Sequence, residues 1–447
     1  MHRPEDEPAP AIRRRRHLRT TAITIALGAV MFTVGAVALS PTNSSGPETT
    51  ATAASVSGPV RGIAALRERV KQLPKDPGSW ADLGMALVQQ ARTTADQAAY
   101  AQAERALRHS LRLQPVENLH AEIGMGALAA ARHQFRDALT WAEKAIATSP
   151  ATPASHGVLA DAHTQLGHYG EAEAAVQKMA DLRPDSASLA RASYVFELRG
   201  DTGGARELME RALRAAGTPG ERAFAHTHLS ALALDGGDTA AALRQAEAGL
   251  AMTPRDAGLL EARARAHAAL GKSAQAVADY TAAIAVAPLP QYLLGLGELQ
   301  QSLGHRDLAE AQYAVLRAQE TLRRAGDASA DTDAILFEAD HGDPRQAVSM
   351  AETAVRERPF LAVHDAYAWA LHRAGRDQEA LTQADKALVL GTRSALFLHH
   401  RGAIHQALGD TTAARRDFQQ ALNLDPSFHP LHAPAAREAI RRIDDTP

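Results

Sequence analysis

Small apolar residues recur along the chain at intervals of 33 to 38 residues, inside segments of helical length. In ten consecutive segments an alanine falls at the same place: Ala103, Ala138, Ala172, Ala205, Ala242, Ala276, Ala309, Ala347, Ala380 and Ala414. A second small residue lies twelve positions earlier in most of them, namely Gly126, Ala160, Ser193, Ser230, Ala264, Gly297, Ala368 and Gly402. Small side chains at both places let two antiparallel helices approach closely. The pattern predicts ten helix–turn–helix units.

Glycine and proline punctuate the same segments. Eight glycines end the predicted first helices, where a left-handed cap needs no Cβ: Gly167, Gly200, Gly237, Gly271, Gly304, Gly342, Gly375 and Gly409. Seven prolines follow the predicted second helices and prevent their continuation: Pro115, Pro150, Pro184, Pro254, Pro288, Pro359 and Pro426. The eighth unit departs from the rule because Ile335 occupies the small position, which predicts a distorted repeat.

The repeat resembles the tetratricopeptide repeat family over residues 61–426. The first unit opens with Trp80-Ala81-Asp82-Leu83-Gly84, which is similar to the Trp-x-x-Leu-Gly opening of that family. The last unit matches the second half of the family pattern through Leu408, Gly409, Ala414, Phe418, Ala421 and Pro426. The resemblance implies an all-α, right-handed solenoid of about ten repeats whose first helices line a concave face. It also implies a protein or peptide partner on that face.

The concave positions supply the candidate binding residues. They are Asp161, Thr164, Gln165, Tyr194, Glu197, Glu261, Arg265, Glu298, Gln301, Asp365, Trp369, His372, Arg373, His399 and Gln406. Trp369 shares a helix face with three charged or polar neighbours, which is the composition of a binding hot spot if the ring is exposed. The alternative is that Trp369 fills a gap between neighbouring helices. The same two alternatives, partner binding and packing between helices, apply to Tyr194 with Glu197, where the pattern favours binding less strongly.

The N-terminal residues predict an export signal. Arg13–Arg16 and Arg19 precede nineteen residues without a charge, 21–39, which are long enough to span a membrane. The positive-inside rule then keeps residues 1–20 cytoplasmic and places the solenoid outside. Cleavage after Ala36-Val37-Ala38 is the alternative, and it would give a secreted protein. Residues 40–60, rich in Ser, Thr, Pro and Gly, predict a disordered tether.

The amino-acid composition and the motifs exclude several kinds of chemistry. The chain has no cysteine, which excludes disulfides, thiol catalysis and Cys-based zinc sites. A net charge of −3 gives no global field for nucleic acid. Zincin, nucleophile-elbow and dinucleotide motifs are lacking, and Gly271-Lys272-Ser273 is a repeat turn that only imitates a phosphate loop. We therefore expect no enzyme activity and no cofactor.

Histidine keeps one further hypothesis open. Eight of the twenty histidines fall between residues 338 and 432: His341, His364, His372, His399, His400, His405, His429 and His432. With the nearby carboxylates Asp340, Asp343 and Asp365 they could hold a metal, and His400 with His405 is the pair best placed to converge. Ordinary structural histidines and a pH-sensing role are the alternatives.

The sequence thus favours a non-enzymatic protein-binding scaffold or assembly factor, anchored in the cytoplasmic membrane with an extracytoplasmic solenoid. Residues 427–447, with a short helix at 435–443, are predicted to cap its end. The rival hypothesis is a secreted or surface metal-handling protein or enzyme that uses the histidine-rich repeats. Self-association through the end helices is a third possibility.

Overall fold

A computed structural model describes residues 58–94, 97–325 and 330–445. These ranges contain 22 α-helices and no strand. None of the helices within them combines the length and the apolar character that a membrane span requires. The predicted span at 21–39, the basic tail and residues 40–57 of the predicted tether lie outside the described residues. Residues 58–60 begin the first helix, so the prediction of disorder is wrong for these three residues.

Twenty of the helices form ten successive antiparallel pairs, one pair for each predicted unit. The pairs are α2 (Pro77–Thr94) with α3 (Gln97–Leu113), α4 (Leu119–Ala131) with α5 (Phe135–Thr148), α6 (Pro153–Gln165) with α7 (Tyr169–Leu182), α8 (Ser186–Glu197) with α9 (Thr202–Ala215), α10 (Pro219–Asp235) with α11 (Thr239–Met252), α12 (Ala257–Ala269) with α13 (Ser273–Val286), α14 (Pro290–Ser302) with α15 (Arg306–Ala325), α16 (Thr332–His341) with α17 (Pro344–Glu357), α18 (Leu361–Arg373) with α19 (Asp377–Ala387), and α20 (Ala395–Ala407) with α21 (Thr411–Leu424). The remaining two, α1 (Gly58–Gln72) and α22 (His432–Asp444), pack on the first and last pairs.

The recurring alanines lie where each pair of helices crosses. All ten are at most 3% exposed, and from the second unit onward each is the fourth residue of its second helix. The small partner position also makes direct contacts. Ser193 Oγ donates a hydrogen bond to the carbonyl of Ala205 at 2.6 Å, and a Cβ added at Gly402 would lie 2.9 Å from the ring of Phe418. The prediction of small residues at the helix crossings is confirmed in these units, whereas in the eighth unit a buried Ile335 occupies the same position.

The turns inside the pairs follow the glycine prediction with one exception. Seven of the eight glycines have a positive φ between 72° and 82°. Gly342 does not, since its φ is −135°, and the prediction of a left-handed cap there is wrong. Only two residues separate α16 from α17, and Asp343 already caps α17 through the backbone N–H of Arg345. The shorter turn leaves no room for the usual cap.

Units five apart in sequence touch each other through these turns. A Cβ added at Gly167 would lie 2.9 Å from the carbonyl oxygen of Pro359, and one at Gly200 would lie 2.5 Å from that of Gly391. Gly237 has the same relation to Leu424, at 3.0 Å. The largest apolar cluster combines residues from 160–232 with residues from 330–404. The third to fifth units therefore support the eighth to tenth.

Two hydroxyl groups add hydrogen bonds to this contact. The backbone N–H of Leu361 donates to the Tyr169 hydroxyl at 3.1 Å. Thr392 donates its hydroxyl proton to the carbonyl of Leu198 at 2.6 Å, and Thr392 is buried. We call the three glycine contacts and these two hydrogen bonds the closure contact.

Candidate functional site

A cavity of about 470 Å³ lies inside the C-terminal half of the solenoid. The first helices α10, α12, α14, α16 and α20 form most of its wall, and the segment 425–437 closes one side. That segment consists of the loop after α21 and the start of α22. The volume lies in the range of cavities that hold small ligands or side chains.

Acidic groups outnumber basic groups in the lining. The acidic and basic side chains other than histidine are Glu261, Glu298, Asp333, Asp340, Asp425, Arg265 and Arg437. Burial raises the pKa of Glu261, and the nearby charge of Arg265 only partly offsets it. Burial and the charge of Asp331 together raise the pKa of Asp333 to about 7. Carboxylates with such raised pKa values lack sufficient positive charge around them, so the cavity suits a cation.

Neutral nitrogen acceptors and aromatic rings complete the lining. His228 is 4% exposed, and its Nε2 has no hydrogen-bond partner among the described residues. Because burial lowers the pKa of His228 to about 3, its imidazole is neutral near pH 7. Tyr280, Tyr292 and Phe428 also line the cavity. Ion pairing, a hydrogen bond to an imidazole nitrogen and contact with an aromatic face are the interactions that hold an organic cation.

Histidines hold the closing segment in place. His429 Nε2 lies 3.0 Å from Glu298 Oε2, and His341 Nε2 lies 3.4 Å from Glu298 Oε1. Burial acts to raise the pKa of Glu298, but the two imidazoles outweigh it and hold that pKa well below its usual range. His432 Nε2 lies 3.6 Å from Asp340 Oδ2 on the next first helix. The C-terminal segment is thus tied to the concave face by ionisable pairs.

Trp369 is a packing residue and not an exposed anchor. Its side chain is 4% exposed and stacks on His400 with a ring separation of 4.2 Å. Its indole Nε1 donates to Asp340 Oδ2 at 3.0 Å, and His432 packs edge-on against the ring. The hypothesis of an exposed hot spot is therefore wrong. The C-terminal segment covers this part of the concave face, which a repeat-by-repeat alignment does not show.

Three of the sequence-predicted concave residues, Glu261, Arg265 and Glu298, line the cavity. Several others are buried in contacts between helices. Asp365 and His399 are 1% and 4% exposed, and Gln165 and Tyr194 are 0% and 7% exposed. Asp365 lies 2.9 Å from His400 Nδ1. The tight coiling of the solenoid buries positions that a more open solenoid would present to a partner.

The remaining predicted residues lie outside the cavity. Asp161 forms an ion pair with Arg191 at 2.7 Å, and His372 Nδ1 lies 2.6 Å from Asp377. Thr164 is buried. The other four residues on the list are partly or fully exposed: Glu197, Gln301, Arg373 and Gln406. The structure does not bring these residues into one site.

Sequence reasoning missed Asp333, Asp340, Asp425 and His228 as members of the cavity. Asp425 directly precedes Pro426, so it belongs to the loop after the last unit and not to a first helix. Asp340 was considered only as a possible metal ligand beside the histidines. One signal for Asp333 was present in the sequence, because it lies in the unit where Ile335 departs from the small-residue rule.

The histidine-rich region does not form a metal centre in the part of the chain that the structure describes. There, no group of three or more His, Asp or Glu side chains is arranged to hold a metal ion. His400 faces Asp365, whereas His405 lies 3.9 Å from Asp417, so the predicted pair does not converge. The metal-handling hypothesis is not favoured.

Comparison with protein families places the chain in a class. Profiles described as tetratricopeptide repeat match residues 123–187, 159–221, 227–292, 338–395 and 395–428, together more than half of the chain. The chain belongs to the tetratricopeptide repeat family. Members of this family generally serve as protein-interaction scaffolds.

The chain is also similar to individual proteins of this class. It is 27% identical over 222 residues to the tetratricopeptide repeat and J domain-containing co-chaperone DNJ1 of Fusarium oxysporum, a match that covers 49% of this chain and 36% of that one. The chain therefore spans about a third of the length of this relative.

Three solved structures show partial overlap. A tetratricopeptide repeat protein from Parabacteroides merdae overlaps 58% of this chain and 99% of its own, with 20% identity and a TM-score of 0.34. The human IFIT1 dimer overlaps 82% and 87%, with 15% identity and a TM-score of 0.44. Yeast Tom70 overlaps 86% and 93%, with 15% identity and a TM-score of 0.39. Overlaps at this level support no inference about this chain.

Proposed function

We propose that this protein is a non-enzymatic scaffold that binds a partner protein by holding a basic side chain of the partner in the acidic cavity. The observation that carries the proposal is the excess of carboxylates over guanidinium groups in a cavity of about 470 Å³. The family supports the scaffold role. The absence of catalytic motifs in the sequence supports the non-enzymatic role.

An arginine or lysine side chain suits this cavity for three reasons. Its cationic head offsets the charge of Glu261 and Asp333, which no bidentate partner neutralises among the described contacts. Its N–H groups can donate to the neutral imidazole of His228. Its aliphatic stem can pack along Tyr280 and Tyr292, as long basic side chains do on apolar surfaces.

Peptide binding tests this part of the proposal. Three labelled peptides of one sequence, with Arg, Lys or citrulline at the centre, are titrated into the full chain. We expect the basic peptides to bind at least about tenfold more tightly than the citrulline peptide, since citrulline keeps the shape of arginine but lacks its charge. Equal affinities for all three would contradict the cavity as a cation site.

A matched pair of variants locates the binding. Asp333→Asn should lower the affinity for the basic peptides about tenfold, because it removes one carboxylate from the cavity. Asp307→Asn on the exposed start of α15 should leave it unchanged. If both variants behave alike, the peptides bind through general surface charge and not in the cavity.

We further propose that residues 21–39 anchor the protein in the cytoplasmic membrane, with the N-terminus inside and the solenoid outside. The one-sided arginine cluster before this apolar run supports the orientation. If the signal is cleaved, the solenoid is secreted. Protease added to intact cells should degrade the solenoid, or the culture medium should contain it. A solenoid that stays protected and cell-bound contradicts this topology.

A further inference from the structure

The second helix of the seventh unit, α15, has two different apolar faces. It contains 20 residues and is the longest second helix of the ten units. One face packs on α14 and buries Ala309, Tyr313 and Leu316, which are 2%, 5% and 6% exposed. This face is sufficient to attach the helix to its own unit.

The other face of α15 is apolar and exposed to solvent. Leu308, Val315 and Leu322 are 53%, 43% and 74% exposed and are spaced seven residues apart. Ala311 and Ala318 lie between them on the same face and are also exposed. The alternating spacing of three and four residues is that of the contact positions in a coiled coil. We call these five residues the α15 seam.

The seam lies on a face that second helices of other units also leave uncovered. The equivalent positions Asp137 and Lys144 of α5, and Glu171 and Lys178 of α7, are exposed as well, but they carry charged side chains. The seam is therefore distinguished by its apolar side chains and not by its exposure.

The geometry points to a second copy of this chain as the occupant of the seam: we propose that two α15 helices pair in antiparallel orientation about a two-fold axis at Val315. The large residues of the seam are symmetric about Val315, with Leu308 and Leu322 at equal distances on either side. In an antiparallel pair each Leu308 meets the Leu322 of the other copy. The small side chains of Ala311 and Ala318 allow the two helices to approach closely.

Charge favours the same orientation. The first half of α15 carries Arg306, Asp307 and Glu310, a net charge of −1. The sequence of the second half, residues 316–325, has a net charge of +2. Antiparallel pairing sets the acidic half of one helix beside the basic half of the other, whereas parallel pairing sets like charges together. Antiparallel helix dipoles also attract each other.

The lack of natural cysteine allows a direct test in the full chain. A single-cysteine variant can form a disulfide only with another copy, and only where the two Cα atoms come within about 7 Å. Val315→Cys lies on the proposed axis and should give a disulfide-linked dimer on mild oxidation in cells. Leu308→Cys alone should not, since antiparallel pairing separates the two copies of position 308 by about 21 Å along the axis.

Co-expression completes the pattern. Leu308→Cys in one tagged copy and Leu322→Cys in a differently tagged copy should form a mixed disulfide. Val389→Cys is the matched control, because Val389 is 68% exposed but lies far along the chain, after α19. It reports the background of random collision.

The proposal fails if Val315→Cys gives no more dimer than Val389→Cys. This outcome would also arise if the apolar residues 21–39, rather than a second copy, cover the seam. It fails as well if Leu308→Cys cross-links by itself, which indicates parallel pairing. As an independent measurement, Val315→Glu should abolish the cross-linking of a second cysteine pair, Leu308→Cys with Leu322→Cys, while leaving the melting temperature unchanged because Val315 is exposed.

The partner-binding proposal does not depend on this pairing. The α15 seam lies on a helix that does not line the acidic cavity. A chain that binds basic peptides but gives no cross-link would retain the proposed function and lose only the dimer. The location of the α15 seam also differs from that of the end helices, which the sequence suggested for self-association.

Discussion

Glycine turns in two regions of the solenoid have the same local shape and different surroundings. Gly167, Gly200 and Gly237 have φ values of 74° to 76°, and each touches a backbone carbonyl five units later. Gly271 and Gly304 have φ values of 72° and 81°, yet a Cβ added at either would meet nothing within 4 Å. The backbone conformation alone requires glycine in the second region. In the first region close approach requires it as well.

This difference shows that one residue type can satisfy a local and a long-range requirement without any sign in the sequence. The positive φ follows from the helix cap and recurs in nearly every unit. The close approach depends on how tightly the solenoid coils, because the coiling decides which later units lie against each turn. Substitutions can therefore separate the two requirements.

The largest expected effect is that of Gly200→Ala. The alanine would have to adopt a positive φ, and its Cβ would lie 2.5 Å from the carbonyl oxygen of Gly391. We expect a loss of roughly 2–5 kcal/mol of unfolding free energy, the sum of the left-handed and overpacking costs. Gly271→Ala should lose only about 1–2 kcal/mol, the left-handed cost alone. Urea unfolding of both variants measures the difference, and equal losses would contradict the closure contact.

Overpacking of the helix crossings should lower the free energy of unfolding by the same amount in both regions. Ala205 belongs to the cluster at the closure contact, and Ala276 lies outside it. Both are 0% exposed, so Ala205→Leu and Ala276→Leu should each lose roughly 1–3 kcal/mol. Thermal melts check this expectation. Unchanged melting temperatures would show that the alanines are not at the crossings.

Protonation should distinguish the closure contact from the docking of the C-terminal segment. Burial first, and then the nearby His432, lower the pKa of His399 well below its ordinary value of 6.5. The unfolded chain thus binds a proton that the folded chain does not, and stability falls as the pH drops below about 6.5. His399→Leu should therefore gain about 1–2 kcal/mol relative to the wild type on going from pH 8 to pH 5.

The closure contact consists of glycines, hydroxyls and backbone groups, which do not titrate in this range. The cost of Gly200→Ala should consequently be the same at pH 5 and pH 8. Denaturant unfolding of each variant at the two pH values checks both expectations. An effect of His399→Leu that does not change with pH would contradict this expectation, since it would show that the imidazole binds its proton equally well in the folded and the unfolded chain.

The smallest expected effect is that of Tyr169→Phe. This change leaves the backbone N–H of Leu361 without its acceptor at the closure contact. We expect a loss of about 1 kcal/mol and faster hydrogen exchange at the amide of Leu361. Tyr367→Phe is a matched control, since its hydroxyl bonds to Glu352 in the preceding helix and not across the closure. It should leave the exchange at Leu361 unaltered.

The ten helix pairs could be predicted from the sequence because the residues that define each pair lie within that pair. Ala138 and Ala414 stand at equivalent places, and so do Gly126 and Gly402, in units far apart along the chain. The short turn at Gly342 escaped prediction because Asp343 and Pro344 start the next helix early. Local signals of this kind can be read one unit at a time.

The cavity could not be predicted in the same way. Its carboxylates at positions 261, 333 and 425 come from three separate parts of the chain, and they meet only because the solenoid coils tightly. The burial of Trp369 has the same origin, since His432 arrives from the C-terminal helix to pack against it. An alignment of repeats gives the inward positions of each helix but not what later covers them.

The five-unit offset also restricts how this chain could have evolved. Ordinary solenoids gain or lose a repeat with little consequence, because each unit touches only its neighbours. Here the loss of the sixth or the seventh unit would shift the later loops, which would then no longer lie against the glycine turns that they contact. The number of hairpins in the middle of the molecule is therefore part of its architecture, much as the number of strands is in a closed barrel.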